Sequence, residues 1–201
     1  QCVGSRDASH DYCSTVCCMY AAKQAVMTLE HEPDTQIHVF MMDMRAFGKN
    51  FESYYQKARE KDGIEYTRCR ISGLKEDPRS GSLGLQYVVG GVAPDVDAPV
   101  QISGGDRVRE EEFDLVVLSV GMEISESVKN LGHRLGVQLD EHGFCNTVQF
   151  DPLQTSRRGI YAIGPFREPR DISESIVEAS GAAAAAGGLL TRSRDSLTQE
   201  I

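Results

Sequence analysis

The chain has 201 residues, a formal net charge of −9 at pH 7 and a pI of about 5.0. This length suffices for one large or two small domains with a substantial core, and the acidic balance speaks against a nucleic-acid partner, which would need a basic surface. The sequence has neither an apolar run long enough for a transmembrane helix nor a signal-peptide pattern, so a cytoplasmic location is expected. Because the first residue is Gln and not Met, we expect the chain to be a piece of a longer protein.

The first half of the chain alternates helix and strand patterns. Residues 3–4 fit the end of a short buried strand, and Ser14 or Thr15 is a plausible N-cap for the helix that follows. This alternation predicts a parallel sheet with crossover helices. The predicted elements are a helix to about residue 31, a strand over 36–42, an amphipathic helix over 51–61 and a strand over 64–71.

The second half begins with short strand patterns separated by Gly, Pro and Asp, which predict an antiparallel meander. A nearly all-apolar segment then predicts a central buried strand. Further strands and one long Ala-rich helix follow, and the polar tail from residue 191 is expected to fray. The predicted strands cover 83–92, 98–103, 113–120, 143–150 and 159–164, and the helix covers 171–190.

Four of the six cysteines lie close together near the start: Cys2, Cys13, Cys17 and Cys18. Cys17 lies one helical turn past Cys13, so their thiols can converge with Cys2 at the junction of the first strand and helix. A helix N-terminus favours thiolates and a net-negative guest. Four thiolates suit an iron–sulfur cluster or zinc. On spacing alone, a redox dithiol and inert buried cysteines stay open as alternatives.

Other residues give weaker signals. Cys69 and Cys145 lie in strand-like segments and are expected to be core thiols, and His10 is a zinc-ligand candidate, although a lone loop His is more often solvated. A dinucleotide-binding turn would carry G-x-G-x-x-G here, but only Gly4 is present. Without those glycines, Asp43 after the second strand is better interpreted as a surface residue than as a ribose ligand.

A second segment of interest lies near the C-terminus, over residues 154–183. It predicts a buried strand that ends at Gly164, a loop, and a helix that begins near Asp171. The start of such a helix offers N–H groups to an electron-rich ligand edge. On the glycines alone, an ordinary strand–loop–helix connection is the preferred interpretation.

Four stretches carry a resemblance to a known family: CVGSRD…YCSTVCCMYAAK, MDMRAFGKNFESYYQKARE, FDLVVLSVG and GIYAIGPFREPRDISESIVEASGAAA. Together they resemble the heterodisulfide reductase A-subunit family and the related quinone-interacting oxidoreductases, which are flavin and iron–sulfur proteins of anaerobes. The resemblance covers about residues 1–190 and implies a thioredoxin-reductase-like α/β fold with a Rossmann-type nicotinamide-like domain. It implies a nucleotide-type domain over 1–122 that carries the cysteines, the C-terminal part of an FAD-binding domain over 123–190, and a frayed tail over 191–201.

The resemblance also implies roles for individual residues. Cys2, Cys13, Cys17 and Cys18 would hold a 4Fe–4S cluster in place of a pyrophosphate. Lys23 would approach the flavin ring edge, where an ammonium stabilises a reduced, anionic flavin, although a solvent-facing Lys is the alternative. Pro165 stands where the wider flavoprotein group has an Asp, which leaves Gly164 and the helix start as flavin contacts. That helix start comprises Asp171, Ile172 and Ser173.

The implied function is electron transfer between FAD and a 4Fe–4S cluster, within a heterodisulfide-reductase-like complex. Because no G-x-G-x-x-G is present for the adenosine half of FAD, another chain or segment is expected to complete the FAD domain. Other subunits of the complex are the expected partners. The alternatives are a pyridine-nucleotide disulfide oxidoreductase that uses the Cys17 and Cys18 thiols, and a structural zinc-binding module.

Overall fold

The computed structural model describes residues 1–89 and 107–199. Internal contacts divide the chain into two compact units. The first unit comprises Gln1–Val3 and Cys17–Val120, and the second comprises Gly4–Val16 and Gly121–Ile201. The sequence-based boundary at residue 122 lies close to the break at 120/121, but the segment 4–16 belongs to the second unit.

The first unit contains the predicted strand–helix–strand arrangement. Helix α1 (Cys17–His31) is followed by β1 (His38–Met41), α2 (Phe51–Glu60) and β2 (Glu65–Arg68). Strands β1 and β2 pair in parallel, which confirms the predicted parallel pairing across a helical connection. A hydrophobic core is formed where the helices and β2 meet, by Ala25, Val26, Ala58 and Ile64.

The predicted antiparallel meander is also confirmed in the first unit. It consists of β3 (Arg70–Glu76), β4 (Leu83–Val89) and β5 (Arg107–Phe113), with β4 in the middle. The strand predicted over 64–71 is therefore two strands, β2 and the start of β3, which separate at the buried Cys69. The strand predicted over 98–103 lies outside the described residues.

The prediction of a central buried strand over 113–120 is wrong. Among residues 114–120, all of which the structure describes, only Val120 forms a β-bridge, a parallel one with Val3. Leu115 and Val117 are 76% and 69% exposed. A fully apolar strand needs cover on both faces. In the described ranges no strand pairs along residues 114–119, so the apolar side chains there lack that cover, although Ser119 is buried.

The second unit is built from short strands and two helices around a small core. Helix α3 (Glu126–Leu135) is followed by β6 (Thr147–Val148), β7 (Asp151–Thr155), a 3-10 turn (Gly164–Phe166) and α4 (Ile172–Gln199). Val137, Cys145 and Ala162 form the buried core, with Leu139, Ile160 and Phe166 packed against it.

Several sequence expectations for the second unit need correction. The strand predicted over 143–150 is reduced to β6, and the one over 159–164 to a single bridge between Gln154 and Tyr161. The predicted Ala-rich helix is confirmed as α4, but it continues to Gln199 through most of the segment expected to fray. None of the helices in the described ranges is long and apolar enough to cross a membrane.

Helix α3 is not predicted from the sequence, although its ends carry recognisable signals. Ser125 precedes it, and Gly136 follows in the left-handed conformation that ends helices, with φ 69° and its N–H bonded to the carbonyls of Gly132 and His133. The interior Gly132 obscures the helical pattern. A Cβ at that position would come within 3.1 Å of Leu139 and 3.3 Å of Phe166, so the glycine allows close packing.

Candidate functional site

Helix α1 begins at the cysteine pair that the sequence singles out. Cys17 and Cys18 are its first two residues and are 2% and 3% exposed. Cys2 belongs to the same unit and adopts a left-handed backbone with φ 61°, which is uncommon for a residue with a side chain. Such strained positions persist where the surrounding structure enforces them, and they concentrate at functional sites. All six cysteines are described, and none forms a disulfide.

Three of the four thiols of the first unit, those of Cys2, Cys17 and Cys18, interact with one another. The hydrogen bond from the Cys17 thiol lowers the pKa of Cys18 to about 7, and the backbone N–H of Arg45 acts in the same direction. The same hydrogen bond to Cys18, a second one to Cys2 and burial raise the pKa of Cys17. Of the predicted ligands, the structure therefore brings Cys2, Cys17 and Cys18 together.

Three polar groups surround the Cys18 sulfur besides the other thiols. The backbone N–H of Arg45 donates to Sγ at 3.4 Å. The Cys18 thiol lies 3.4 Å from Oε1 of Gln1 and 3.8 Å from the carbonyl oxygen of Asp43. Asp43 also forms an ion pair with Arg45, at 3.4 Å from Oδ1 to Nε. The loop after β1 therefore closes over Cys18.

The predicted N-caps of α1 have other roles, so that expectation is wrong. The Ser14 hydroxyl donates to Ser5 Oγ at 3.2 Å and accepts the N–H of Met122 at 2.8 Å. Thr15 has a left-handed backbone with φ 65°, and its hydroxyl donates to the carbonyl of Pro169 at 2.9 Å. These contacts all lie within the second unit.

Cys13 lies in the second unit, in the loop over 4–16, where the N–H of Thr15 donates to its Sγ at 3.4 Å. Partly buried hydrogen bonds fix this loop. Ser5 donates to the carbonyl of Tyr12 at 2.9 Å, and the Tyr12 hydroxyl donates to the carbonyl of Met122 at 2.7 Å. The Tyr12 ring also packs edge-on against His142 and Phe144.

The weaker candidates occupy ordinary positions. Lys23 lies on α1 with its side chain exposed. His10 lies in the 4–16 loop, with Nδ1 3.4 Å from the carboxylate of Asp7. Cys69 and Cys145 are both buried, which confirms their interpretation as core thiols, and burial raises the pKa of each.

The C-terminal segment places Gly164 in the 3-10 turn, where its N–H donates to Oε2 of Glu178 at 2.7 Å. Asp171 caps α4: Oδ1 accepts the N–H of Glu174 at 2.7 Å, and Glu174 in turn accepts the N–H of Asp171 at 3.0 Å. This reciprocal pair is a capping box. Ile172 and Ser173 are exposed at the first turn.

Sequence reasoning missed Glu178, which joins the Gly164 turn to α4. Its Oε1 accepts a hydrogen bond from Nη2 of Arg167 at 2.7 Å and pairs with Nε of Arg170 at 3.2 Å. Burial alone would raise the pKa of Glu178, but the hydrogen bonds from Arg167 and the Gly164 N–H, together with the two Arg charges, lower it. The signal in the sequence is a single Glu on a helical face, which does not distinguish it from a surface residue.

Comparison with known proteins decides the family. Residues 12–186 match the pyridine nucleotide-disulphide oxidoreductase family, and this match covers most of the chain. The chain belongs to the pyridine nucleotide-disulphide oxidoreductase family. The mixed α/β architecture, with its parallel pair and antiparallel meander, fits the Rossmann-like nucleotide-binding folds of these oxidoreductases.

Individual relatives in this oxidoreductase family carry more specific names. The chain is 39% identical over 194 residues to the second iron-sulfur A-subunit of CoB--CoM heterodisulfide reductase of Methanopyrus kandleri, covering 94% of the chain and 28% of that protein. It is 35% identical to the corresponding iron-sulfur A-subunit of Methanocaldococcus jannaschii, covering 92% and 27%. It is 34% identical to a protein of Archaeoglobus profundus named for its likeness to the heterodisulfide reductase A-subunit, covering 94% and 25%. The chain thus spans about a quarter of these relatives' length.

The thiols of this oxidoreductase chain fit a soft metal by their chemistry. Three of them lie at or beside a helix N-terminus, and thiolates prefer iron–sulfur clusters and zinc. Gln1 supplies a further observation, because its Nε2 is buried without a hydrogen-bond partner among the described residues while its Oε1 faces Cys18. Within the described ranges, no group of three or more His, Cys, Asp or Glu side chains is arranged so that it could hold a metal ion.

Proposed function

We propose that this chain is part of an electron-transfer flavoprotein that passes electrons between FAD and a 4Fe–4S cluster in a heterodisulfide-reductase-like complex. The observation that carries the proposal is the group of interacting Cys2, Cys17 and Cys18 thiols at the start of α1, of which Cys17 and Cys18 are buried. The names of its relatives, which describe iron-sulfur subunits of heterodisulfide reductases, agree with such a role.

The proposed cluster ligands are Cys2, Cys13, Cys17 and Cys18. The low pKa of Cys18 makes it ready to bind metal as a thiolate, and the burial of Cys17 and Cys18 excludes water. Cys13 is included because it precedes Cys17 by four residues in the cysteine motif. A 4Fe–4S cluster supplies the capacity to take up and return a single electron. The N-terminal N–H groups of α1 favour the negative charge of the ligand set.

The proposed flavin contacts are Lys23, Gly164, Asp171, Ile172 and Ser173. The exposed ammonium of Lys23 is available to stabilise negative charge on a reduced flavin ring. Because both the carboxylate and the backbone N–H of Asp171 are engaged in the capping box, Asp171 would contribute to the flavin site by holding the first turn of α4 in place. The exposed first turn of α4, with Ile172 and Ser173, offers N–H groups in the manner of other helix N-termini.

We further propose that a separate segment or chain supplies the adenosine half of the FAD domain. The sequence lacks the G-x-G-x-x-G motif for that half. In the second unit, α4 leaves Ile176 and Val177 exposed at 62% and 72%, and such side chains are normally covered in a complete domain. Further partners are the other subunits of the complex. The complex as a whole would determine which molecule is the terminal electron acceptor.

An anaerobic reconstitution experiment tests the cluster. The chain is purified without oxygen and supplied with iron and sulfide, and iron, zinc, sulfide and the visible spectrum are measured before and after reduction. We expect about four irons per chain and a broad visible band that bleaches on reduction. Stoichiometric zinc without iron contradicts the proposal and supports the structural zinc alternative.

Matched cysteine variants locate the cluster. Cys17→Ser removes a buried thiol of the group and should abolish iron binding. Cys69→Ser changes another buried cysteine, at the junction of β2 and β3, and should leave the iron content of the folded protein unchanged. If iron content is the same in Cys17→Ser as in the unmodified chain, the ligand assignment is wrong.

One observation favours a second candidate function, a pyridine-nucleotide disulfide oxidoreductase. Cys17 and Cys18 are adjacent thiols joined by a hydrogen bond, and the family match is consistent with dithiol chemistry. That activity requires NADH or NADPH to reduce a bound flavin, which then reduces a disulfide. The same preparation is therefore assayed for NADH and NADPH oxidation coupled to disulfide reduction. Turnover that disappears in Cys17→Ser, in a protein without iron, favours this candidate.

A further inference from the structure

The segment over 114–119, in the first unit, is an apolar run whose large side chains are mostly exposed. Leu115, Val117 and Leu118 are 76%, 69% and 54% exposed. Uncovered edge strands are normally guarded by charged residues or proline, which prevent pairing with another strand. Residues 115–120 contain neither, so this run has the composition of a strand that is paired along its length.

Residues 1–3 of the same unit already pair with the end of this run. The N–H of Val3 donates to the carbonyl of Ser119 at 3.1 Å, and Val3 forms a parallel bridge with Val120. Because the bridge is parallel, the backbone that leads into Val3 runs in the same direction as residues 114–120. A strand that extended this pairing backwards from Val3 would therefore lie beside the apolar run.

Strand β1 offers a second edge to the same segment. The carbonyl of Met41 accepts the N–H of Cys69 on the side of β2, whereas the carbonyl of the preceding Phe40 accepts the main-chain nitrogen of Gln1 at 2.7 Å. Successive carbonyls of a strand point to opposite edges, so Gln1 lies at the edge of β1 that faces away from β2. Among the described strands β1 pairs only with β2, so this edge is open.

We propose that the residues that precede Gln1 in the full-length protein form a short apolar β-strand between β1 and residues 114–119. The relatives are about four times as long as this chain, which leaves room for such a segment. A strand paired on both edges of a parallel sheet is buried on both faces, so its sequence should be an apolar run of about five residues. Its side chains would lie beside Leu115 and Val117 as cross-strand neighbours.

The strand would also complete a standard arrangement in the first unit. Followed by α1 and β1, it would form a strand–helix–strand unit with parallel strands, the same arrangement that β1, α2 and β2 already form. Such a strand needs neither iron nor flavin, so it does not depend on the proposed electron transfer.

Amide hydrogen exchange, measured by mass spectrometry of peptides over 114–120, tests the strand. Three proteins are compared: the 201-residue chain, the same chain extended by the roughly ten residues that precede Gln1 in its gene, and the full-length protein. We expect exchange over 114–119 to be at least about tenfold slower in the two longer proteins, because the added strand engages backbone N–H groups in hydrogen bonds.

Substitutions at Val117 test whether the apolar run is the surface that the strand covers. Val117→Lys should be tolerated in the 201-residue chain, where the side chain is exposed, but it should abolish the slow exchange in the extended chain. Val117→Thr keeps a β-branched side chain and should lose part of the protection, and it replaces Val117→Lys if that variant fails to fold. The matched control is Val108→Lys, at a 67% exposed position on β5 of the same unit, which should leave exchange over 114–119 unchanged.

The remaining outcomes each contradict the proposed strand. Slow exchange in the monomeric 201-residue chain would show that the chain covers this run by itself. Slow exchange that becomes fast on dilution, with a dimer in light scattering, would assign the surface to a second copy of the chain. Protection in the full-length protein but not in the extended chain would assign it to another segment, and fast exchange in all three proteins would show that the run stays unpaired.

Discussion

Gly121 lies where the second unit has no room for a side chain. A Cβ at this position would be 2.6 Å from Ser14 Oγ, 2.7 Å from the carbonyl oxygen of Gly4 and 2.9 Å from Ser5 Cβ. Ser5 and Ser14 are buried and hydrogen-bonded to each other, so they cannot move apart without losing those bonds. The glycine therefore permits the close approach that holds the loop over 4–16, which carries Cys13.

We expect Gly121→Ala to destabilise the chain by about 1–3 kcal/mol, which is typical of overpacking a well-packed site. Displacement of the loop should also reduce the iron content after reconstitution. Urea unfolding followed by circular dichroism measures the stability, and metal analysis of the folded fraction measures the iron.

Gly187→Ala is the matched control for Gly121→Ala. Gly187 lies within α4, and nothing approaches within 4 Å of a Cβ there. Because Ala is a better helix former than Gly, this variant should be unchanged or more stable by up to about 1 kcal/mol. If both variants have the same stability as the unmodified chain, the tight approach at Gly121 does not constrain the loop.

At the scale of elements, one carboxylate connects the turn at Gly164 to α4. Glu178 accepts the N–H of Gly164 and the guanidinium of Arg167, both at 2.7 Å, and its side chain is 12% exposed. Its pKa is lowered in the folded protein, so the folded state binds this proton less tightly than the unfolded chain does. The resulting stabilisation is present above the ordinary pKa of 4.5 and is lost as the pH falls through the lower, folded value.

Glu178→Gln keeps the shape of the side chain and an acceptor for Gly164, but it removes the charge. We expect a loss of about 1–2 kcal/mol in the free energy of unfolding at pH 7, since hydrogen bonds to charged groups exceed neutral ones by this order. The difference between the two proteins should shrink at pH 3, which lies below the ordinary pKa of 4.5, because the unfolded chain then gains a proton that the folded state binds less tightly. Urea unfolding at both pH values measures it.

Glu141→Gln is the control, since Glu141 is exposed in a turn of the same unit. Its effect should be small at both pH values. A Glu178→Gln loss that is equal at pH 7 and pH 3 would show that the charge does not contribute and that the cost is one of packing.

The elements that sequence reasoning predicts well are those with a strong local pattern. The β1–α2–β2 segment and α4 follow from apolar periodicity and helix formers within one stretch of chain. The segment over 114–119 shows where prediction from a local pattern fails, because an apolar run is buried only if other strands cover it. The start of α1 near Cys17 and Cys18 is predicted from the helical pattern that follows them, but Cys13, expected one helical turn before Cys17, lies in a loop outside the helix. The contacts of Gln1, Asp43 and Arg45 with Cys18 come from distant parts of the chain, so no local pattern shows them.

On the scale of the whole molecule, the chain leaves apolar side chains exposed on a long helix of the second unit. Ile176 and Val177 lie on the part of α4 that follows the capping box, and both are mostly exposed. The chain spans about a quarter of the length of its curated relatives. If a separate segment or chain supplies the adenosine half of the FAD domain, this helix face is the surface that such a segment would cover.

If another segment covers this face, we expect the double change Ile176→Ser with Val177→Ser to have little effect in the 201-residue chain and a large effect in a longer protein. In the 201-residue chain the side chains are exposed, so the free energy of unfolding should change by less than about 0.5 kcal/mol per substitution. In a protein that spans the full length of the relatives, the same change would bury two hydroxyls in an apolar contact and should reduce the FAD retained per chain several-fold. Flavin absorbance after denaturation measures that FAD.

Met27→Ser, at a 45% exposed position on α1 in the first unit, should leave FAD content unchanged in both settings. Stoichiometric FAD in the 201-residue chain would show that these residues complete the flavin site by themselves. Full retention by the double variant in the longer protein would show that this face of α4 is not the surface that another segment covers.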